Sequence, residues 1–512
     1  MRRTGRVDEC EHGWAPVLPP CQGPSPRCKP SLRPENGAGL CLRCHRRPAR
    51  LVSGHSPLDL AVARAVRARQ DRLSSLRAFR HPNFVRFWLG AFISNVGTWM
   101  ETIGVGVYVT EVTGRAGWTG TVAALIYLPS LVLGPVAGAL ADRTDRRRLL
   151  SILTTAQILI AAVLAVLALT DRLSVPAVAV LAFLAGCVNA LVAPVYSSLL
   201  AELVPAEDLL SALSLSSAQY NLGRIIGPSL AALAMAAGGL ATAFFCNAAS
   251  FVAVLVSLML VQLPPRAEHR EHDDLWAEIV TGFRVAREDA GIRTALVLTS
   301  LISVLVAPFI ALIPVYAITV FGHGASGTSL LAAAQGVGAI AAAVLTGTLA
   351  DRWGRRRLVS RMTLLLGTVA IAYWLVPSFW MAVVLVALLG GAYLSTLTGV
   401  NATCMSRVSR LLQARVSSLY TMVLGVGYAT GLLALSWLGD HVGLRLTMAS
   451  AAVLLTLSVA WMRRRGMLRL LDGPAQFLGR DEVTFAVPTL AGPATMKEVP
   501  GAKAGGELRA SR

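Results

Sequence analysis

Two charged residues stand where the chain is otherwise apolar. Glu101 lies in the apolar run that begins near Phe84, and Arg224 in the run that begins near Ser211. Each sits several helical turns inside its run, roughly 20 Å deep at a helical rise of about 1.5 Å per residue. A lone charge at that depth in a membrane costs several kcal/mol unless it faces a cavity or a partner. A carboxylate there has the chemistry to take up and release a proton, and a guanidinium can pair with it or hold an anion. Three roles stay open for Glu101 and Arg224: proton coupling, a permanently ionised pair joining two helices, and recognition of substrate charge by Arg224.

Polar residues gather around these two positions. Ser94, Thr98, Glu101 and Tyr108 fall on one helical stripe, and Ser217 and Asn221 share the stripe of Arg224. Gly223, Gly227 and Pro228 follow in the same run, where Pro removes a backbone hydrogen bond and Gly loosens packing, so a bend or a close helix crossing is expected. Asn95, Gln157, Asn189, Gln335 and Asn401 are amides within apolar runs. Of these, Asn95, Asn189 and Asn401 are the candidates for lining a pathway, against the alternative of bonding between helices. Trp99, Tyr127 and Tyr393 would suit a bulky amphiphilic substrate. No Walker-type phosphate loop, Ser-His-Asp set or metal-dense cluster occurs in these runs, so neither an enzyme nor an ATP-driven pump is expected, and no cofactor or metal.

The elements that position these residues are long apolar segments. Of 512 residues 54% are hydrophobic and 15% charged, whereas soluble domains carry about 25% charged residues. Twelve runs are long enough to cross a bilayer: 84–109, 118–141, 149–170, 175–196, 211–237, 240–263, 294–320, 326–350, 358–376, 379–403, 416–438 and 443–462. The formal charge of +19 is mostly arginine in the tails and alternate loops. With both termini cytoplasmic, the outer loops carry only Arg115, Arg172 and Arg445, while the inner loops carry seventeen arginines between Arg143 and Arg415. That is the positive-inside bias. It makes nucleic acid an unneeded explanation for the charge and the lipid bilayer the expected surrounding.

One charged stretch occurs twice. Gly138-Ala139-Leu140-Ala141-Asp142-Arg143-Thr144-Asp145-Arg146-Arg147-Arg148 returns 209 residues later as Gly347-Thr348-Leu349-Ala350-Asp351-Arg352-Trp353-Gly354-Arg355-Arg356-Arg357, identical at 8 of 11 positions. A repeat at half-chain distance predicts an all-α membrane protein of twelve transmembrane helices in two pseudo-symmetric six-helix bundles. The predicted organisation is a basic N-terminal segment over 1–80, a first bundle over 81–263, a cytoplasmic linker with an amphipathic helix over 264–292, a second bundle over 293–465 and a tail over 466–512. Both the first and the last segment have the composition of disordered chain.

The repeated hairpin resembles the diagnostic motif of the major facilitator superfamily, with Asp145 in the first copy where that family has Gly. Glu202-Leu203-Val204-Pro205-Ala206-Glu207-Asp208-Leu209, Asn221-Leu222-Gly223-Arg224-Ile225-Ile226-Gly227-Pro228 and Ala414-Arg415-Val416-Ser417-Ser418-Leu419-Tyr420 are similar to the bacterial branch of enterobactin exporters and macrolide efflux proteins. The resemblance implies secondary export of a small amphiphilic molecule (drug, macrolide or siderophore type) by proton antiport and alternating access, in a monomer in the cell membrane. It also implies that Asp142 faces the start of the eleventh span near Ser417 and Asp351 the start of the fifth near Ser211. Gly138 and Gly347 would give close helix approach, and Arg143, Arg146 and Arg147 would pair with Asp142 and Glu202. Arg352, Arg355 and Arg356 repeat the pattern. Such a gate links the halves on the inner side only, and the change at Asp145 predicts two unequal clasps. The resemblance makes spans one and five neighbours, so a Glu101–Arg224 ion pair is expected. Gly223, Gly227 and Pro228 resemble a span-five motif of antiporters, with Ala231 and Ala232 where the trailing glycines would stand.

Two other functions remain. The fold permits a proton-coupled nutrient importer equally well. The N-terminal Cys41-Leu42-Arg43-Cys44-His45, with Cys21 and Cys28, would suit a membrane sensor or redox protein holding haem or zinc. Against that reading, no hydrophobic signal segment precedes the first span, and translation starting at a non-ATG codon near Val52 or Val62 would remove these cysteines altogether.

Overall fold

The computed structural model describes residues 76–130, 133, 144–262 and 283–472. The N-terminal Cys-rich stretch, Gly138, Asp142 and Arg143 of the first hairpin, most of the linker and the tail after Asp472 lie outside the described residues. Among the described residues the fold is helical, without a strand. In order the helices are α1 (Pro82–Thr113), α2 (Ala116–Tyr127), α3 (Arg146–Leu169), α4 (Val175–Glu202), α5 (Leu209–Leu260), α6 (Ala290–Leu305), α7 (Ala325–Trp353), α8 (Arg355–Leu375), α9 (Phe379–Met405), α10 (Arg410–Val442) and α11 (Leu444–Arg464). Nine stretches of the described residues are long and apolar enough to cross a membrane.

Local chemistry sets the boundaries. Asp145, Ser174 and Asp289 cap α3, α4 and α6, their side chains accepting from Arg148 N, Ala177 N and Ile292 N. A side-chain oxygen at that position satisfies a backbone N–H left free by the first helical turn. Gly354 joins α7 to α8 with φ 77° and Gly443 joins α10 to α11 with φ 99°, conformations that a Cβ would strain. The 52-residue α5 is two arms rather than one rod, because Gly238 and Gly239 leave helical geometry. Asp145 therefore does different work from its counterpart: it is extended and caps the next helix, whereas Gly354 turns the chain at positive φ.

The seventh apolar run differs from the uninterrupted span expected of it. After α6 the chain passes through a 3₁₀ turn (Ala307–Phe309), a short turn (Ile313–Val315) and a π-helical turn (Tyr316–Val320). Pro308 and Pro314 supply no amide hydrogen to an α-helical ladder, which accounts for the interruptions. The described end of the linker, from Phe283, is helical, with Val285 and Ala286 buried and Phe283 exposed.

Within the first repeat α1 packs along both arms of α5, and α3 against α5 and α4; within the second, α9 packs on α7 and α8, and α8 on α11. The largest pairings that join the repeats are α2 with α10 and α5 with α7, and α1 adds smaller contacts with α7 and with the turns at Ile313–Val315 and Tyr316–Val320. A large core lies in the second repeat around Tyr316, Tyr373 and Trp374, where the Tyr316 hydroxyl donates to the Tyr373 carbonyl at 2.7 Å. Meanwhile Leu159, Val166, Phe245, Trp380, Val384 and Leu457 are exposed on helix faces, as expected where lipid rather than water is the neighbour.

Candidate functional site

A cavity of about 1490 Å³ lies among α1, α2, α4, α5, α7 and α10, and both Glu101 and Arg224 line it. Glu101 is the one carboxylate among its described lining residues. The geometry of α1 decides where each charge goes. Successive helical residues are about 100° apart, so Trp99 and Glu101 face nearly opposite directions. One face of α1 meets the first arm of α5: a Cβ on Gly227 would lie 2.9 Å from the Val96 carbonyl oxygen, and one on Gly223 3.2 Å from Asn95 Cβ. The opposite face meets the second arm, where a Cβ on Gly97 would lie 2.7 Å from Asn247 Oδ1.

Glu101 therefore pairs with Asn247 and not with Arg224. Asn247 Nδ2 donates to Glu101 Oε2 at 2.6 Å, and the Ser250 hydroxyl lies 3.3 Å from Asn247 Oδ1, which orients the amide. The expected Glu101–Arg224 ion pair is absent, because the two side chains leave opposite faces of the α1–α5 contact. The guanidinium of Arg224 lies 5.5 Å from the centre of the Trp99 ring, and Tyr220 meets Trp99 edge-on at 5.7 Å. Arg224 is 8% exposed, and its Nε and Nη2 atoms are buried without a hydrogen-bond partner. Tyr127 and Tyr428, from α2 and α10, meet edge-on at 5.0 Å on the same cavity.

The amides divide. Asn95 and Asn189 line the cavity, and Gln157 Nε2 donates to Asn189 Oδ1 at 2.8 Å. Gln335 also lines it, with Nε2 buried and unpartnered. Asn401 does not line it: α9 packs on α7 and α8, away from the cavity. Tyr393, on the same helix, is likewise not among the lining residues. Gly223 and Gly227 sit at the α1 crossing, and the helix dihedrals of α5 continue through Pro228.

The two ends of the cavity are unequal. At the end opposite the hairpins, Asp440 of α10 accepts from the backbone amides of Ala116 and Gly117 at 2.7 and 3.0 Å. Trp437 Nε1 donates to Thr121 Oγ1 at 3.0 Å beside them. At the hairpin end, Arg146 donates to Glu202, as expected, and Arg147 donates to the Met259 carbonyl at 3.1 Å instead of to an acid. Arg355 donates to Ser406, and Arg356 lies 3.6 Å from Asp472. Arg352 and Asp351 are exposed, and a Cβ on Gly347 would meet nothing within 4 Å among the described residues. Among the described residues no hydrogen bond joins Asp351 to Ser211, whose hydroxyl accepts from the Ala78 amide at 3.1 Å.

Sequence comparison gives this arrangement a family. The profile described as transmembrane secretion effector matches residues 73–494. The chain belongs to that family, within the major facilitator superfamily. Macrolide efflux protein A of Streptococcus pyogenes is 24% identical to this transporter over 368 residues, covering 70% of this chain and 90% of its own. The enterobactin exporter of Citrobacter koseri is 27% identical over 380 residues, covering 72% and 89%. Among solved structures, a bacterial homologue of the human lysosomal transporter Spinster, inward-facing and unoccupied, aligns with TM-score 0.60 at 15% identity, over 76% of this chain and 98% of that one. At that identity the likeness shows the fold. The protein is thus a multi-pass membrane transporter of small molecules rather than an enzyme, with efflux proteins among its relatives.

Sequence reasoning missed Asn247 and Asp440, and left Gln335 outside its candidates for lining the pathway. A usable signal existed for Asn247: Ser250 and Ser257 recur with it on one face of an apolar run.

Proposed function

We propose that this transporter exports a small amphiphilic molecule from the cytoplasm by proton antiport, alternating the access of one central cavity. The observation that carries this reading is a cavity whose sole described carboxylate, Glu101, is held by an amide and faces no cation. Such a carboxyl can take up a proton and return it without breaking an ion pair, which suits it to coupling. The relatives named for macrolide and enterobactin export support the direction and point to a drug, macrolide or siderophore type of cargo.

In this reading twelve spans form two six-helix bundles (81–263 and 293–465), a monomer with both termini and both hairpins on the cytoplasmic side, as the arginine distribution favours. The Asp440 end is then the outer end. Its closure, with Asp351 exposed and Gly347 uncovered among the described residues at the other, suits a cytoplasm-open state ready to load. Opening outward would require the hairpins to close: Asp351 onto the start of α5, and Asp142 onto the start of α10. Gly223 and Gly227 let α1 and α5 cross closely, and Pro228 weakens α5 there, so this crossing is a natural pivot.

The test uses everted membrane vesicles made acidic inside. Accumulation of a radiolabelled macrolide, siderophore or aromatic carboxylate, abolished by a protonophore, is the expected result. Movement of such compounds only in right-side-out vesicles would reverse the direction, and indifference to the protonophore would remove the proton.

A further inference from the structure

We infer that the cavity binds its cargo through a carboxylate, or an equivalent planar oxyanion, held by Arg224, with the Gln335 amide a second donor bordering the same cavity. A guanidinium has one side edge, formed by Nε and Nη2, that matches the two oxygens of a carboxylate. This protein shows that edge in use elsewhere: Arg407 donates from Nε to Asp289 Oδ1 at 2.7 Å and from Nη2 to Asp289 Oδ2 at 3.1 Å. In Arg224 the same two atoms are buried and unpartnered, in a residue that is 92% buried (exposure 8%) and borders the cavity. Leaving a charged donor pair unsatisfied in an apolar setting is unfavourable, so the site is built for a group that arrives from elsewhere.

A second empty donor comes from the other repeat. Gln335 is 1% exposed, borders the same cavity and leaves Nε2 without an acceptor. Its helix packs against α5 here, a Cβ on Gly336 lying 3.5 Å from the Arg224 carbonyl oxygen, while the Gln335 side chain runs beside α9, its Cγ 3.1 Å from a Cβ on Gly390. Both vacant groups donate, so the missing partner is an acceptor, and the charge of the guanidinium favours one that is negative. Trp99, Tyr220, Tyr127 and Tyr428 add flat surfaces around this point, which favours an aromatic or otherwise planar body on the anion. Binding takes a rotation of the guanidinium that brings its free edge onto the cavity it already borders.

The inference rests on the reading of this cavity as the transport site, but its test is an equilibrium one and independent of direction and coupling. Calorimetric titration of the purified full-length protein compares 1-naphthoate with its neutral isostere 1-naphthamide. Wild type should bind naphthoate about ten-fold or more tightly than naphthamide, the effect of charge-assisted bonds in a buried site. Arg224→Gln should erase that preference, and Gln335→Leu should reduce it. Absent binding of naphthoate, equal affinity for the two isosteres in wild type, or an anion preference that survives Arg224→Gln would overturn the assignment. The wild-type comparison needs no variant to fold. Failure of gradient-driven uptake in everted vesicles, with the anion preference intact, would count against the exporter reading alone.

Discussion

Asp440 holds the start of α2 by its backbone: both carboxylate oxygens accept amide hydrogens, from Ala116 and Gly117, across 324 and 323 residues of chain. A carboxylate at a helix N-terminus gains from both the free amides and the helix dipole. This contact ties the two repeats together at the end of the cavity away from the hairpins, so its strength should bias which end is open.

Asp440→Asn keeps one acceptor and loses the charge, a weakening of about 1–2 kcal/mol. That corresponds to roughly a ten-fold shift toward the state open at this end. Spin labels at Arg115 and His441, both exposed, would report it: the distance distribution should gain a longer component. An unchanged distribution would show that Asp440 closes nothing.

Glu101→Gln preserves an oxygen that can accept from Asn247, so the variant should fold with wild-type thermal stability. It should also lose accumulation driven by a proton gradient while still exchanging substrate down its own gradient. Retention of gradient-driven accumulation would assign the coupling proton to another group.

Two glycine substitutions should separate packing from gating. At Gly227 a Cβ would meet Trp99 and the Val96 carbonyl, so Gly227→Ala should destabilise by about 1–3 kcal/mol through overpacking. At Gly347 nothing among the described residues lies within 4 Å, and Gly347→Ala in a helix interior should hold or raise stability by about 0.5–1 kcal/mol. If the hairpin end closes during the cycle, Gly347→Ala should nevertheless slow transport. Unfolding curves in detergent and vesicle uptake give the two readings; equal stability loss at both positions would contradict the structure.

Arg407 and Asp289 form a buried pair, 5% and 0% exposed, that also caps α6 and reaches the Leu471 carbonyl. Removing one member by Asp289→Ala leaves a buried charge and should cost about 3–5 kcal/mol. Replacing both by Leu should recover much of that loss. Chemical denaturation of wild type and the two variants measures it, and a double variant no more stable than Asp289→Ala would argue that the pair is worth more than its hydrophobic replacement.

The sequence exposed some of this plainly and hid the rest for identifiable reasons. Lone charges in apolar runs are conspicuous, so Glu101 and Arg224 could be singled out; their partners could not, because helical phase and neighbour identity fix those. The repeat revealed the hairpins, and the Arg146–Glu202 pair followed. Asp440 falls between the apolar runs 416–438 and 443–462, and nothing in its surroundings marks it, since its partners are backbone amides more than three hundred residues away. Arg407 was counted among the topology-setting arginines, although its side chain is buried on Asp289. The interruption after α6 was written in Pro308 and Pro314, but hydropathy averaged over a window does not register two prolines.

The empty edge of Arg224 also has a thermodynamic consequence. A compound that satisfies it binds the folded protein and not the unfolded chain, so it raises the unfolding free energy by mass action, about 2.7 kcal/mol at a hundred times its dissociation constant. Heat resistance in detergent is therefore a direct way to find the natural cargo, with no need to know the driving ion, the direction of travel or the orientation in the membrane.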